Sequence, residues 1–140
     1  MVLLIDNNVV LDVLQAREPH SKYSRRAWLL CELGQAEGYI SALTFADIVY
    51  IMRKEVAYNE IDLLLAKVSK AFTIADLTRD DMSNAADMKW RDFEDAGQSA
   101  TASRIHADYI ITRNTKDYRD SPIPAITPEE YFMNVFEPEQ

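Results

Sequence analysis

Val2-Leu-Leu-Ile5-Asp6-Asn7-Asn8-Val9-Val10-Leu11-Asp12 opens the chain, and its reading sets the fold. The apolar run 2–5 is long enough only for a buried strand. Asp6 closes it at once, and apolar residues at helical spacing follow. Residues 8–16 therefore read as a helix, with Asn7 or Asn8 as its cap. Strand, polar corner and helix together make the first half of a β–α crossover. An acid directly after a buried strand needs partners to offset its desolvation, which marks Asp6 as a functional candidate. The bland alternative is an exposed turn aspartate.

The same alternation continues outward. Residues 21–37 read as a helix carrying Trp28, Leu29, Leu33 and Ala36 at helical spacing, and residues 38–41 as a second strand. Helices over 44–54 and 59–70 precede a third strand at 72–75. Two more, over 79–90 and 92–106, precede a fourth strand at 108–112. A short fifth strand is expected at 123–126. Thr127-Pro128-Glu129-Glu130 then has the form of a helix start: a capping hydroxyl, a first-turn proline and an acid three residues after the cap. Strands separated by helices imply crossovers and a parallel sheet of about five strands covered on both faces. Open sheets of this kind bind ligands beyond the carboxyl ends of their strands. Asp6 closes the first strand there, and Thr112-Arg113-Asn114 closes the fourth.

Composition narrows the class. With 140 residues, 48% hydrophobic and 27% charged, the chain reads as one globular domain over 1–140. Cys31 is the single cysteine, so no intramolecular disulfide or Cys/His zinc cluster is available, and a reducing cytoplasm is expected. The apolar start lacks a basic segment and is broken by Asp6, unlike a signal peptide, and no apolar run approaches membrane-spanning length. Three glycines leave no Gly-rich phosphate loop. A net charge of −8 opposes nucleic-acid binding driven by electrostatics alone. Either the acids gather where they bind cations, or the partner is not a nucleic acid.

Hard cations such as Mg²⁺ take carboxylate oxygens and retained waters, and in phosphodiester hydrolysis they activate water and stabilise developing charge. Asp6, Asp47, Asp95 and Asp117 are the candidates, each near an expected strand end or helix start. Capping offers a second explanation for two of them. Asp92 reads as an N-cap with Asp95 at the third helical position, and Thr44 as a cap with Asp47 in the first turn.

Four segments carry a family resemblance. Residues 6–12 resemble the opening D-T-N-V-L-L-D stretch of PIN domains. Asp92-Phe-Glu-Asp95-Ala-Gly-Gln-Ser-Ala-Thr-Ala102 is similar to the family's D-F-E-D-A-L-Q-x-A-x-A segment. Asp108-Tyr-Ile-Ile-Thr-Arg-Asn-Thr-Lys-Asp-Tyr118 resembles A-D-Y-I-V-T-R-N-x-x-D-F, and residues 121–130 resemble the closing I-P-V-x-T-P-E-E-F stretch. The resemblance implies a three-layer, Rossmann-like α/β/α fold, a Mg²⁺ or Mn²⁺ site and endoribonuclease activity on RNA. Many members of this length are VapC-type toxins, which implies a cognate antitoxin and a homodimer. Asp6 and Asp95 match the family's metal-binding acids, and Asn8 the asparagine that orients the first of them. Asn114 and Asp117 fall in the fourth-acid region, and Thr112 and Arg113 in the segment beside it. Two positions depart from the pattern. Asn7 replaces a hydroxyl residue. Asp47 stands where Glu is usual, one methylene shorter, so its reach depends on backbone position or a bridging water.

Other polar residues have plainer readings. Asp12, Asp92 and Glu94 are expected to be structural or to support the site from behind. Arg113 fits either a substrate phosphate or a surface acid. His20 and His106 read as surface residues, Cys31 as core, and Trp28, Trp90 and the tyrosines as core or interface. The aromatics show no alternation with basic residues that would make a base-stacking surface.

Three functions follow from these readings: a metal-dependent endoribonuclease, a protein-binding module with a weakened site, or a phosphoacceptor receiver domain. The last needs an acid ending the third strand, which Asp76 supplies, and a lysine ending the fifth. No lysine follows Ile126. A neighbouring antitoxin gene favours a toxin, and its absence a solitary RNA-processing enzyme.

Overall fold

The computed structural model describes residues 1–136. Its centre is β1 (Val2–Ile5), in which Leu3, Leu4 and Ile5 are essentially inaccessible. Side chains alternate across a strand. Leu3 and Ile5 accordingly join one core with Val9, Val10, Trp28 and Phe72, while Leu4 joins a second with Ala102, Ile110 and Tyr118. A strand buried on both faces has to be interior, and β1 is.

It pairs in parallel with β2 (Glu37–Ser41) and with β4 (Tyr109–Ile111). Outside these lie β3 (Thr73–Ala75) and β5 (Ala125–Ile126), so the five-stranded order is β3-β2-β1-β4-β5. The first core lies under α1 (Asn7–Leu14), α2 (Ser21–Glu32), α3 (Ala42–Met52), α4 (Tyr58–Ala71) and the short α7 (Pro128–Tyr131). On the opposite face α5 (Arg79–Met88) packs on α6 (Phe93–Arg104), and α6 packs on β4. Together these form the three-layer α/β/α arrangement. The α6 face is built of small residues, with Ala96, Gly97, Ser99, Ala100, Thr101 and Ala102 all buried, which lets the helix lie close to the sheet. On the other face Gly38 is required by close approach. A Cβ there would meet Cys31 Sγ at 2.5 Å and Cys31 Cβ at 2.7 Å.

Three local expectations change. The α1 cap is Asp6, with extended backbone, and neither asparagine takes that place. The α2 helix ends at Glu32, because Leu33 leads to Gly34 at φ 76° and Leu29 and Leu33 are exposed. Glycine in the left-handed conformation just past a helix end is a stop signal. Finally, Ser41 caps α3 by accepting the Thr44 N–H, so α3 begins at Ala42 and Asp47 lies in its second turn. Among the described residues no helix is long and apolar enough to cross a membrane.

Topology fixes where a ligand site should be. From β1 the chain moves outward through β2 and β3, then returns across β1 to lay down β4 and β5. Strand order reverses between β1 and β4, and the carboxyl ends there open a crevice. Ile5 and Ile111 are register partners, so Asp6 and Thr112 stand side by side at that reversal.

Candidate active site

Asp6 is held by its own helix and by three other elements. Its Oδ1 accepts from the Asn7 N–H (2.9 Å) and from Gln98 Nε2 on α6 (3.1 Å). Its Oδ2 accepts from Thr112 Oγ1 (2.8 Å), Tyr118 Oη (3.2 Å) and, more weakly, Asn8 Nδ2 (3.4 Å). All five donors are neutral. Burial pushes the Asp6 carboxyl above the ordinary carboxylate range, while the bonds from Gln98, Thr112, Asn7 and Tyr118 pull it back down.

The supporting bonds cross the carboxyl ends of β2, β1 and β4. Ser41 Oγ, at the end of β2, donates to Thr44 Oγ1, which also accepts from Gln98 Nε2. Asn8 Nδ2 reaches Thr112 Oγ1 at 3.2 Å, and Asn8 Oδ1 accepts the Arg113 N–H at 3.2 Å. Asn8 and Thr112 thus orient Asp6 through polar bonds. Asn114 contributes its backbone N–H to Thr112 Oγ1, and its side chain is exposed.

Asp95 sits at the third position of α6, where Asp92 caps the helix by accepting the Glu94 and Asp95 N–H groups. Tyr118 Oη lies 3.1 Å from Asp95 Oδ1 and 3.2 Å from Asp6 Oδ2. One phenolic hydrogen therefore serves two carboxylates, alternately. Burial first, then the charges of Asp6 and Asp92, raise Asp95 to about 6, with Asp117 adding to the rise and the Tyr118 bond opposing it. Asp117 is exposed, in the 3₁₀ turn Thr115–Tyr118.

Asp47 on α3 lies beside Glu94 on α6. Their shared hydrogen bond, then burial, then the charges of Asp47, Asp92 and Asp95 lift Glu94 to about 8. Glu94 thus keeps its proton near neutral pH and bonds Asp47 with it. The shorter Asp47 side chain is met by an acid from α6.

Arg113 is placed elsewhere. Its Nε donates to the buried Asp12 at 2.8 Å, and it borders a separate cavity of about 560 Å³ that also touches His20 and Tyr23. Asp12 is thus a structural acid, as expected, and Arg113 pairs with a buried acid rather than a surface one. Cys31 is buried core, its thiol pushed up to about 12 by desolvation.

The PIN domain profile matches residues 2–116, spanning β1, the Asp6 corner, α6 and β4. The chain belongs to the PIN-domain family. Solved structures share the PIN fold at low identity. VapBC-1 from nontypeable Haemophilus influenzae aligns with a TM-score of 0.71 at 12% identity, over 92% of this chain and 99% of that one. VapBC2 from Rickettsia felis, bound to a promoter DNA fragment, gives 0.70 at 16%, over 91% and 98%. A toxin–antitoxin complex from Klebsiella pneumoniae gives 0.68 at 23%, over 90% and 97%. No curated protein sequence matches the chain.

Two residues of this PIN domain, Gln98 and Tyr118, escaped the sequence reading. Gln98 lies one turn beyond Asp95 on α6, a buried amide on a core-facing helix position. Tyr118 closes the segment that carries Asp117, and its hydroxyl joins the two acids. Glu94 was set aside as supporting. Residues 89–93, read as Lys-Trp-Arg-Asp-Phe, also overturn the expectation that basic and aromatic residues do not alternate, and they line one cleft with Asp95 and Asp117.

Two observations bear on whether these residues suit a divalent cation. Among the described residues, no ion pair to Lys or Arg neutralises Asp6, Asp47, Glu94, Asp95 or Asp117. Gln98 Oε1 is a buried acceptor without a partner. Hard oxygen donors with uncompensated charge fit a Mg²⁺ or Mn²⁺ ion in kind. Among the described residues, no three acidic, His or Cys side chains already converge at ligand spacing.

Proposed function

We propose that this chain, a single PIN domain over 1–140, is a Mg²⁺- or Mn²⁺-dependent endoribonuclease, with Asp6, Asp95 and Asp117 as the acids that hold the cation. The observation that carries this reading is the Tyr118 hydroxyl, which brings two carboxylates from distant elements to one point at the strand-order reversal. The bound ion would supply polarisation of a phosphodiester oxygen and activation of water. Asn8, Thr112 and Gln98 orient Asp6, and the Asp47–Glu94 pair holds a proton at the cleft wall. Thr112 and Asn114 shape the β4 end of the cleft, whereas Arg113 serves the site by clamping the Thr112 backbone through Asp12.

Purified protein should cleave RNA with Mg²⁺ or Mn²⁺ and stop in chelator. If Asp6→Asn and Asp95→Asn cleave as fast as wild type, the site assignment is wrong. A second reading, a PIN-fold binding module with a weakened site, is favoured by Asp47 in place of the usual Glu and by the net charge of −8. Calorimetry separates the two, since a module would take up neither Mg²⁺ nor Mn²⁺ at millimolar concentration.

One of the solved structures named above is a toxin–antitoxin complex and two are VapBC assemblies, which supports a toxin held by a cognate antitoxin; a cytoplasmic homodimer is what the family resemblance implies. Co-purification with the product of an adjacent small gene tests the antitoxin. A solitary RNA-processing nuclease would have no such neighbour.

A further inference from the structure

The cavity of about 560 Å³ that Arg113 borders shares no lining residue with the acidic cleft. It forms where the segment before α2, the residue after β4 and the start of α7 meet. Cavities of roughly 300–1,000 Å³ hold small organic ligands, so this one has room for more than an ion. Its apolar walls are Pro19, Pro128 and the partly buried Tyr23. Its polar walls include His20, Lys22, Arg113 and Glu129. Lys22 Nζ stands 5.2 Å from the Tyr23 ring centroid, so a cation and a ring converge at one wall. Arg113 spends its Nε on Asp12 at 2.8 Å. Among the described residues its two terminal nitrogens, the Lys22 ammonium and the His20 imidazole have no hydrogen bond or ion pair to the protein.

Charge around this cavity is close to balanced. Arg17, Lys22 and Arg113 stand against Asp12, Glu18, Glu129 and Glu130. Three of these acids are engaged with donors on the protein: Asp12 with Arg113, Glu18 with the Ser21 hydroxyl and Glu130 with the Thr127 hydroxyl. With no net positive field the cavity does not gather a polyanion such as an RNA strand, whose binding draws on many cations. What remains is a few directed donors beside a ring and apolar walls, the make-up of a small-molecule site. A guanidinium fork suits an oxyanion, and an aromatic face beside prolines suits a planar ring.

We propose that this cavity binds a small ligand built of a planar ring and one phosphate, a mononucleotide in chemical class. Arg113 and Lys22 hold the phosphate, and the ring lies against Tyr23. The same arginine connects the cavity to the acid site. Its N–H bonds Asn8 Oδ1, and the residue before it, Thr112, bonds Asp6. A ligand that fixes the guanidinium therefore steadies the β4 end beside Asp6, so ligand and cation strengthen each other's binding. That coupling rests on the cation reading of the acids, and the ligand site does not.

Adenosine monophosphate is the probe, titrated into the full chain in chelator and followed by amide NMR. Shifts should centre on residues 20–24, 113, 127 and 129 and leave 92–95 and 117 unmoved. Lys22→Ala should weaken binding on the order of ten-fold, the loss of one charge-assisted bond, and Lys22→Arg should restore most of it. Because Lys22 is exposed in the first turn of α2, circular dichroism should show an unchanged fold. Adenosine alone and inorganic phosphate alone should each bind more weakly than the mononucleotide. Calorimetry against a mononucleotide–Mg²⁺ blank should show that the bound probe tightens Mg²⁺ about five-fold. No binding, shifts centred on 92–95 and 117, or wild-type affinity in Lys22→Ala would each overturn the site. Mg²⁺ affinity unmoved by the bound probe would overturn the coupling. If wild type takes up no Mg²⁺ while the probe still shifts residues 20–24, the cation reading falls and the ligand site stands.

Discussion

Asp6 and Asp12 lie six residues apart around one helix, both buried, and the protein satisfies them by opposite means. Asp12 accepts from Arg113 Nε at 2.8 Å and Ser24 Oγ at 3.0 Å, with Arg17 3.9 Å away. Asp6 has five donors, and none of them is charged. An arginine-paired carboxylate has its charge cancelled from within. A carboxylate held only by amides and hydroxyls is fixed in place with its charge uncancelled, which suits it to a cation from outside. The two are coupled through one step of chain: Thr112 bonds Asp6, while the next residue, Arg113, bonds Asp12 and gives its N–H to Asn8. The structural acid therefore holds the β4 end whose Thr112 bonds the candidate catalytic one.

Substitution should separate the two. Asp6→Asn keeps the shape and removes the charge, and RNA cleavage should fall on the order of 10³-fold, about 4 kcal/mol of barrier, with the fold retained. Cleavage rate together with the thermal melting curve checks this. Asp12→Ala should act the other way round. It leaves Arg113 without its buried partner and should cost about 3 kcal/mol of stability, read by urea denaturation. Any loss of activity should then follow the loss of folded protein. Equal stability losses in the two variants would break the contrast.

The sequence disclosed strands better than it disclosed the bonds between them. β1 and β4 were legible because short apolar runs end in polar corners, and those ends mark the crevice once the strand order is known. Asp6, Asn8, Thr112 and Asp95 were visible on the same grounds, together with the family resemblance. Gln98 and Tyr118 were not, since they meet Asp6 across 92 and 112 residues of chain, and no local periodicity encodes such a meeting. The end of α2 was legible and overlooked: Gly34 announced it, while exposed Leu29 and Leu33 imitated a core face. Asp47 was misplaced because Thr44 looked like a cap, although Ser41 stands three residues earlier with the same chemistry.

Tyr118 sharpens the contrast at a smaller scale. Its hydroxyl joins the two candidate ligands, and its ring is buried against Trp90. Tyr118→Phe keeps that packing and deletes the bridge. Loss of such an outer partner should lower Mg²⁺ affinity roughly ten-fold, within the range seen for groups that orient metal ligands. Calorimetry on wild type and variant reads this directly, and unchanged affinity would make the tyrosine a packing residue only.

The smallest effect concerns pH, and its sign follows from the shared acids. Asp6 is raised above 3.8, Asp95 is raised from 3.8 to about 6, and Glu94 from 4.5 to about 8. Between the ordinary and the raised values the folded chain binds more protons than the unfolded one. Stability should therefore fall as pH rises from near 4 to near 8, the reverse of what carboxylates paired with cations produce. Thermal melts at pH 5, 6, 7 and 8 check the direction. Glu94→Gln should flatten the decline chiefly near pH 8, where Glu94 loses its proton. Added Mg²⁺ should raise the melting temperature more at pH 8 than at pH 5, because the ion binds the ionised cluster and protons compete with it. A melting temperature that rises with pH in metal-free buffer would mean that these carboxyls do not share a cluster, and Asp6 would then lose its distinction from Asp12.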